Sequence, residues 1–553
     1  MPIILLIIVL LTYSRCEDDL HKFQQNSYRF KRYLKWRFET PSRIVRPHEL
    51  LFVLGFLFTI WGNVVLAIIG CVLMCLDAYF YWLIKTAYPV KKKLVYTPRV
   101  KRLKVTLTIL LALVAVGGFY WSSLLYVGFI GYFASFIYVF IAAAINMPIE
   151  SAVNKHYFDD ARRTLAKAPN LNVIGITGSY GKTSTKNVLY KMLSRDFNVL
   201  MTPESFNTKM GLTRTLREGL KPIHNVFLAE MGAKEVGDIK ELCDFVQPNM
   251  GIITSIGPQH LETFKSLDNV IRTKGELFEN ITQNGTIYVN CDEPNILKLP
   301  KRSDVTAYRY AVDRENALQH HTHFAIENLV LNQMGSAFTL VWSPDGYGIE
   351  SIESINESHD NIKTATNVKT KIIRINLKTK LLGRHNLSNV VAGCAVALTL
   401  GVPPERLPLL VSEVEPVEHR LSHRRVADQY TLLDDAFNSN PIGAAMALEV
   451  LKAFEGNKKI IITPGMIELG NMAETLNQTF GEQIADVCDA VILVGIKQTQ
   501  PIWEGLKNRH FPEHNIYRVK SIHEAYARLN AIVAIDDVVL IENDLPDSFN
   551  EAL

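Results

Sequence analysis

A buried strand that runs into a glycine turn and then a Lys-Thr helix start leaves a chain few folds to choose from. Residues 172–189 read NVIGITGSYGKTSTKNVL. Val173, Ile174 and Ile176 predict a buried strand, Gly178 and Gly181 a tight turn, and Lys182 and Thr183 the first turn of a helix. Backbone N–H groups in such a turn, with the helix N-terminus behind them, cradle an anion. The candidate cradle is Thr177, Gly178, Ser179, Tyr180, Gly181, Lys182, Thr183 and Ser184. Lys182 is placed to reach outer phosphates and the Thr183 hydroxyl to ligate Mg2+. The pattern is T-G-x-x-G-K-T. The general P-loop form wants a glycine five residues before the Gly181-Lys182 pair, and Ile176 stands there. The bland alternative is a glycine-rich turn without a ligand, but strand, turn, Lys-Thr and helix all agree on a phosphate.

The rest of the 553 residues leaves room for three or four domains. A net charge of +4 gives no case for a nucleic-acid surface. Long apolar stretches concentrate in residues 1–150. Blocks 50–84 and 105–146 are each too long for one membrane span and suit two short ones. Their expected breaks are at Trp61-Gly62-Asn63 and Trp121-Ser122-Ser123. Basic flanks, residues 22–46 and 85–104, put both ends of each block on the cytoplasmic side. The expectation is about four spans, with a fifth at residues 2–11, which lack the basic n-region of a signal peptide. Residues 150–553 then lie in the cytoplasm of a multi-pass membrane protein. Asp77, the acid inside the first block, is expected near the interface. The seven cysteines are scattered and imply neither a disulfide framework nor a zinc site.

From residue 171 onward strand-like and helix-like segments alternate, which predicts parallel α/β sheets. Strands are expected at 172–177, 225–230, 250–255 and 286–290, then at 430–435, 459–463, 489–494 and 537–541. Strand-like pieces lie between them at 324–342 and 371–377, and the polar segment 350–371 reads as a loop or hairpin insertion. The expected division is residues 1–150, 151–381 and 382–553. Glu230 ends an apolar strand beside the cradle, where a carboxylate can meet Mg2+. His260 follows another strand of the same sheet and is a second candidate metal ligand; Lys274 lies in a helix-like stretch. Taken singly, each has an ordinary structural reading.

Taken in order, these segments resemble the Mur ligase family. TGSYGKTS, ESFNTKMG, LAEMGAKEVGDI, ITSIGPQHLETFKS, RTKGELF and YVNCDE resemble its central domain. GRHNLSNVVAG, EHRLS, DDAFNSNP and the ELG of GMIELG resemble its C-terminal domain. The nearest branch adds D-alanyl-D-alanine to a UDP-muramyl tripeptide. The resemblance implies an α/β fold, a P-loop domain followed by a Rossmann-like ligase domain, behind the all-α transmembrane region. It implies an ATP-dependent, ADP-forming ligase that converts a carboxylate to an acyl phosphate for attack by an amine. Lys182 and the loop amides would hold the β- and γ-phosphates, and Thr183 and Glu230 one Mg2+. His260 would help hold a second ion, and Lys274 falls where many members carry a carbamylated lysine. His385, Asn386 and Asn389 match a segment that meets the nucleotide base. Arg420 matches an arginine that reaches the γ-phosphate, and Asp435, Asn438 and Asn440 a segment lining the nucleotide and amine side.

Three departures bear on substrate. The transmembrane region stands where that branch has a soluble UDP-binding domain, so the carboxylate belongs to a small-molecule or a lipid-linked cell-wall precursor. Asn477 stands where histidine is usual, and IENDLPDSF replaces a KGS-type segment near the incoming amine, an amino acid or dipeptide. The expectation is a bacterial cell-membrane ligase in contact with membrane lipids. Alternatives are a polymer-forming amide ligase of the poly-γ-glutamate type, a P-loop transporter subunit and a degenerate scaffold. A transporter leaves GRHNLSN and DDAFNSNP unexplained, and a scaffold leaves the cradle unexplained.

Overall fold

The protein is described by a computed structural model covering residues 2–38, 46–61, 63–87, 93–121, 124–204, 206–259, 261–348, 372–437 and 439–544. It divides into two compact units after Tyr157. The sequence-predicted insertion at 350–371 and the site candidates His260 and Asn438 lie outside the described residues.

The first unit is helical. Its helices are Pro2–Gln25, Phe30–Phe38, Leu50–Ile60, Val64–Ala87, Pro98–Tyr120, Leu124–Phe133 and the start of Ser135–Ala166. Both expected breaks are real: helices stop at Ile60 and Tyr120 and restart at Val64 and Leu124. The breaks fall off-centre, however. Leu50–Ile60 has 11 residues and Leu124–Phe133 has 10, so each rises about 16 Å, half of the roughly 30 Å of a bilayer core. Two helices among the described residues, Val64–Thr86 and Ser135–Ala166, are long and apolar enough to cross a membrane, in place of the four or five expected. Residues 2–11 are the first half of one 24-residue helix whose second half carries Arg15, Glu17, Asp18 and Asp19.

This unit buries charged pairs beside two apolar clusters and exposes many further apolar side chains. Arg15 pairs with Glu49 and Arg37 with Asp19, all four buried. Asp77 is buried within the unit. His48 Nδ1 lies 2.6 Å from one of its oxygens, and Tyr132 donates to the other at 2.8 Å. Val64, Ile68, Val72, Trp82, Val105, Ile109, Leu113 and Ile145 face outward. Helices Leu50–Ile60 and Val64–Ala87 touch backbone to backbone. A Cβ on Gly70 would lie 2.4 Å from the Gly55 carbonyl, so only glycine permits the approach.

The second unit begins at Phe158 and holds two sheets. The first contains β1 (Asn172–Thr177), β2 (Val199–Met201), β3 (Val226–Glu230), β4 (Met250–Ile253), β5 (Thr286–Asn290), β6 (Thr306–Tyr310), β7 (Phe324–Asn332), β8 (Gly335–Trp342) and β9 (Ile373–Thr379). Its order is β2-β3-β1-β4-β5-β6-β7-β8-β9, parallel through β7 and antiparallel from β7 to β9. The chain leaves β1 toward β3 on one side and later returns to β4 on the other. A crevice therefore opens at the C-terminal end of β1, where ligands bind in such sheets.

The second sheet contains β10 (Ser422–Val426), β11 (Tyr430–Asp435), β12 (Lys459–Thr463), β13 (Ala490–Val494), β14 (Ile516–Val519) and β15 (Val538–Glu542). Its order is β10-β11-β15-β12-β13-β14, parallel except for the β10–β11 hairpin. The expected division at 381–382 does not separate the two cores. Helix Arg384–Thr399 is apolar nearly all round, and Leu387, Val390, Val391 and Ala395 pack with Ile174, Val188 and Ile252 of the first sheet. Val414 still belongs to that core, whereas Leu421 belongs to the second, so the chain passes over between them.

Candidate active site

The glycine turn sits where the strand order reverses. Gly181 has φ 82° and precedes helix Lys182–Leu193 with no side chain capping it, which leaves first-turn amides available to an anion. A Cβ at Gly178 would lie 2.0 Å from Thr254 Oγ1, so the turn and β4 approach as closely as backbone allows. Thr254 and Ser255 brace it. Ser255 Oγ accepts from Tyr180 N–H at 2.9 Å, Ser179 N–H donates to the Ser255 carbonyl at 2.9 Å, and Thr254 donates to the Tyr180 carbonyl. Ser179 Oγ donates to the Gly257 carbonyl at 2.9 Å, and Thr177 Oγ1 to the Met231 carbonyl at 2.8 Å. Tyr180 donates to Glu293 at 2.5 Å. Ser184 lies in the first turn of the helix. The cradle is thus built from backbone and held from outside.

Lys182 points back into the turn, donating to the carbonyls of Gly178 at 2.5 Å and Ser179 at 3.2 Å. Burial lowers its pKa to about 8; the carboxylate of Glu230 opposes that shift and Arg420 adds to it. Thr183 Oγ1 lies 3.2 Å from Glu230 Oε1. A hydroxyl and a carboxylate side by side at the mouth of a phosphate cradle are the hard oxygen donors Mg2+ takes, with water and phosphate completing its shell. Among the described residues no three His, Cys, Asp or Glu side chains cluster as a self-sufficient metal cage.

Glu230 has neighbours that no sequence motif announced. Lys186, one turn further along the same helix as Lys182, places Nζ 2.9 Å from Glu230 Oε2, and both side chains are only 1% exposed. The same Nζ donates to the carbonyl of Glu204, which holds a left-handed φ of 41°. Asn207 donates to Glu230 Oε1 at 3.3 Å. The repeated Lys at the fourth position after Lys182 was the available signal, since it shares one helix face.

Lys274 lies in helix Leu267–Glu279 and is buried, not a surface lysine. Among the described residues no hydrogen bond or ion pair holds its ammonium. Burial and then the nearby charge of Lys182 push its pKa well below the ordinary lysine value. Both effects favour the neutral amine over the ammonium.

The second sheet and helix Arg384–Thr399 complete the surroundings. Thr185 donates to Asn389 Oδ1 at 2.8 Å, and Asn389 donates to Asn386 Oδ1 at 3.3 Å, so both asparagines are tied to the P-loop helix. His385 Nδ1 is buried without a partner among the described residues, and burial lowers its pKa to about 4. It is a neutral imidazole with an unused polar atom, which suits a polar ligand edge. Arg420 stacks on Phe437, its Cζ 4.0 Å from the ring centroid. Burial lowers its pKa while Asp435 and Glu230 support its charge. Asp435 is raised to about 6 by burial, against the pull of Arg420. Asn440 caps helix Pro441–Ala453 by accepting from Ile442 N–H at 3.2 Å and Gly443 N–H at 3.0 Å, the ordinary reading of that residue.

A P-loop sheet with a buried lysine pair, and a second parallel sheet presenting an arginine to the same charges, define an ATP-dependent ligase of two α/β domains. The chain belongs to the Mur ligase family: the Mur ligase middle domain matches residues 176–397 and the Mur ligase glutamate ligase domain residues 419–542. The UDP-N-acetylmuramoyl-tripeptide–D-alanyl-D-alanine ligase of Haemophilus influenzae is 27% identical over 349 residues, 62% of this chain and 68% of that protein. The Escherichia coli ligase of the same name is 27% identical over 332 residues, 60% of this chain and 66% of that protein. The chain thus spans about two thirds of these relatives. MurF of Acinetobacter baumannii superposes with a TM-score of 0.58 at 22% identity, over 72% of this chain and 78% of that one. MurF ligase of Thermotoga maritima in complex with ADP gives 0.58 at 21%, over 72% and 81%. At these identities the structures show the shared fold.

Proposed function

We propose that this chain is a membrane-anchored, ATP-dependent amide ligase of cell-wall precursor synthesis. It joins the carboxylate of a muramyl-peptide-like precursor to the amine of an amino acid or dipeptide. The observation that carries the reading is the uncapped first turn of helix Lys182–Leu193 behind the glycine turn, with Thr183 Oγ1 3.2 Å from Glu230 Oε1 at its mouth. Relatives named as UDP-N-acetylmuramoyl-tripeptide–D-alanyl-D-alanine ligases support the substrate class.

The turn from Thr177 to Ser184 binds the β- and γ-phosphates, with Lys182 turning from the loop carbonyls to the phosphate oxygens. Thr183 and Glu230 hold Mg2+, and His260 is assigned to a second ion. Bound Mg2+ supplies the charge that lets a carboxylate approach a triphosphate. The substrate carboxylate attacks the γ-phosphorus; ADP leaves and an acyl phosphate forms. The amine then attacks the acyl carbon, giving amide, phosphate and a proton. Arg420 stabilises the transferring phosphoryl group. His385, Asn386 and Asn389 receive the nucleoside, while Asp435, Asn438 and Asn440 line the amine side. Lys274, whose pKa burial lowers, would add CO2 through its free amine and release a proton, giving a carbamate that could serve as an anionic oxygen donor for a metal.

Membrane anchoring is supported by the first unit, whose charged pairs are inside and whose Val, Ile, Leu and Trp side chains face outward. That surface favours an acceptor presented at the bilayer, a lipid-linked precursor, beside the soluble UDP-muramyl tripeptide. The test uses the full-length protein in detergent with ATP, Mg2+, UDP-muramyl tripeptide and D-alanyl-D-alanine, with product read by mass. Pentapeptide that disappears in Lys182→Ala supports the reading. No product from soluble or lipid-linked precursors with any amino acid tested, despite ATP binding, sinks it.

A further inference from the structure

We propose that Lys186 is a specificity-determining residue for the metal site, selecting Mg2+ over Ca2+ by pairing with Glu230 Oε2 so that only Oε1 faces the metal. The inference rests on the reading of Thr183 and Glu230 as metal ligands. Lys186 Nζ lies 2.9 Å from Glu230 Oε2, and the ion pair is sealed from solvent at both ends. The lysine cannot swing aside freely, because the same ammonium donates to the Glu204 carbonyl in a turn held at left-handed φ. Oε1 is the oxygen that faces the cradle: Thr183 and Asn207 both reach it, at 3.2 and 3.3 Å. Glu230 therefore offers a single oxygen toward the phosphate side.

That restriction discriminates between ions. Mg2+ keeps a tight octahedral shell and takes carboxylates through one oxygen, with water and phosphate filling the rest. Ca2+ wants six to eight oxygens and commonly grips a carboxylate through both. A bidentate ion at Glu230 would also sit against the Lys186 ammonium, and like charges at that range in a buried site repel strongly. Lys186 thus acts on the metal through Glu230 rather than by touching substrate.

The experiment measures binding, not turnover. Full-length protein in detergent is saturated with ADP, loaded with Mn2+ and followed by the electron paramagnetic resonance of the released ion as Mg2+ or Ca2+ displaces it. In the wild type Mg2+ displaces Mn2+ at lower concentration than Ca2+. In Lys186→Met, with Oε2 released, the Ca2+/Mg2+ ratio is expected to move about tenfold toward Ca2+. Lys186→Arg, which keeps a cation on Oε2, is expected to hold the wild-type ratio. Should Lys186→Met not fold, Lys186→Gln keeps a donor toward Glu204 and is expected to shift the ratio in the same direction by less. An unmoved ratio in the charge-removing variants overturns the proposal. Wild-type protein that binds no Mn2+ beyond what ADP alone holds in buffer overturns instead the metal-site reading beneath it.

Discussion

At the scale of single residues the site holds three basic side chains, Lys182, Lys274 and Arg420, whose pKa values desolvation lowers. Lys182, at about 8, is about three quarters neutral at pH 8.5. A polyphosphate restores its charge, so ADP binding at pH 8.5 is expected to take up well over half a proton and at pH 7 very little. Calorimetry in buffers of different ionisation enthalpy reads this directly, and equal uptake at both pH values would count against Lys182 as the phosphate ligand. Lys274 makes a second test. If its amine becomes a carbamate, Lys274→Ala should lose most ligation, on the order of a hundredfold or more, the scale of a lost electrostatic stabiliser. Millimolar acetate or formate should then recover part of it, while lysine-free rescue by chloride should fail. Residues that act through motif position (Lys182, Thr183 and Glu230) were legible in the sequence. Lys186, Thr254, Ser255 and Asn207 were not, because each works through a contact that exists only once strands β3 and β4 and the P-loop helix are side by side. Asn440 shows the converse, a motif residue whose visible work is to cap a helix.

At the scale of elements, the end of β15 ties the second sheet to the loop preceding helix Pro441–Ala453. Glu542 is buried between hydroxyls. Ser439 donates to one oxygen and Thr463 to the other at 3.2 Å. Burial first, and then the charge of Asp435, raises its pKa to about 8, while Asp435 stands at about 6. In an unfolded chain both lose their protons near pH 4. Between about 4 and 8 the unfolded state binds fewer protons than the folded one, so stability falls as pH rises through that window. The melting midpoint of the second sheet's transition is expected to drop from pH 5 to pH 8, and Glu542→Gln is expected to flatten most of that drop. Strands β1, β3, β4, β5, β11, β12, β13 and β15 could be read from their apolar runs, because they are central and covered on both faces. Strands β2, β6, β10 and β14 could not. Three of them, β2, β10 and β14, lie at sheet edges, and all four are only three to five residues long with mixed, partly exposed side chains.

At the scale of the whole molecule, apolar run length located the helical region and its breaks but overcounted full-length spans. It could not know that Leu50–Ile60 and Leu124–Phe133 stop after three turns. Nor could it see that Arg15 pairs with Glu49, and Arg37 with Asp19, inside. A protein anchored by such a surface is expected to stay with membranes through high salt and alkaline carbonate and to leave them only in detergent; release by salt alone would contradict anchoring. At the expected division Leu381 belongs to the first core and Leu382 to the second, and the GRHNLSN segment then carries the chain back to the first. Its helix is buried in the first core, and the passage from Val414 to Leu421 is where one core ends and the next begins. This has a consequence for how such a gene can change. A recombination joint placed in that passage would leave the first core whole and take only Leu382 from the second. The upstream partner would bring the phosphate turn together with His385 and Asn389. The downstream partner would bring Arg420, Asp435 and Glu542 as one heritable block. New amine preferences could then be acquired by exchange, without rebuilding the half of the molecule that grips the nucleotide.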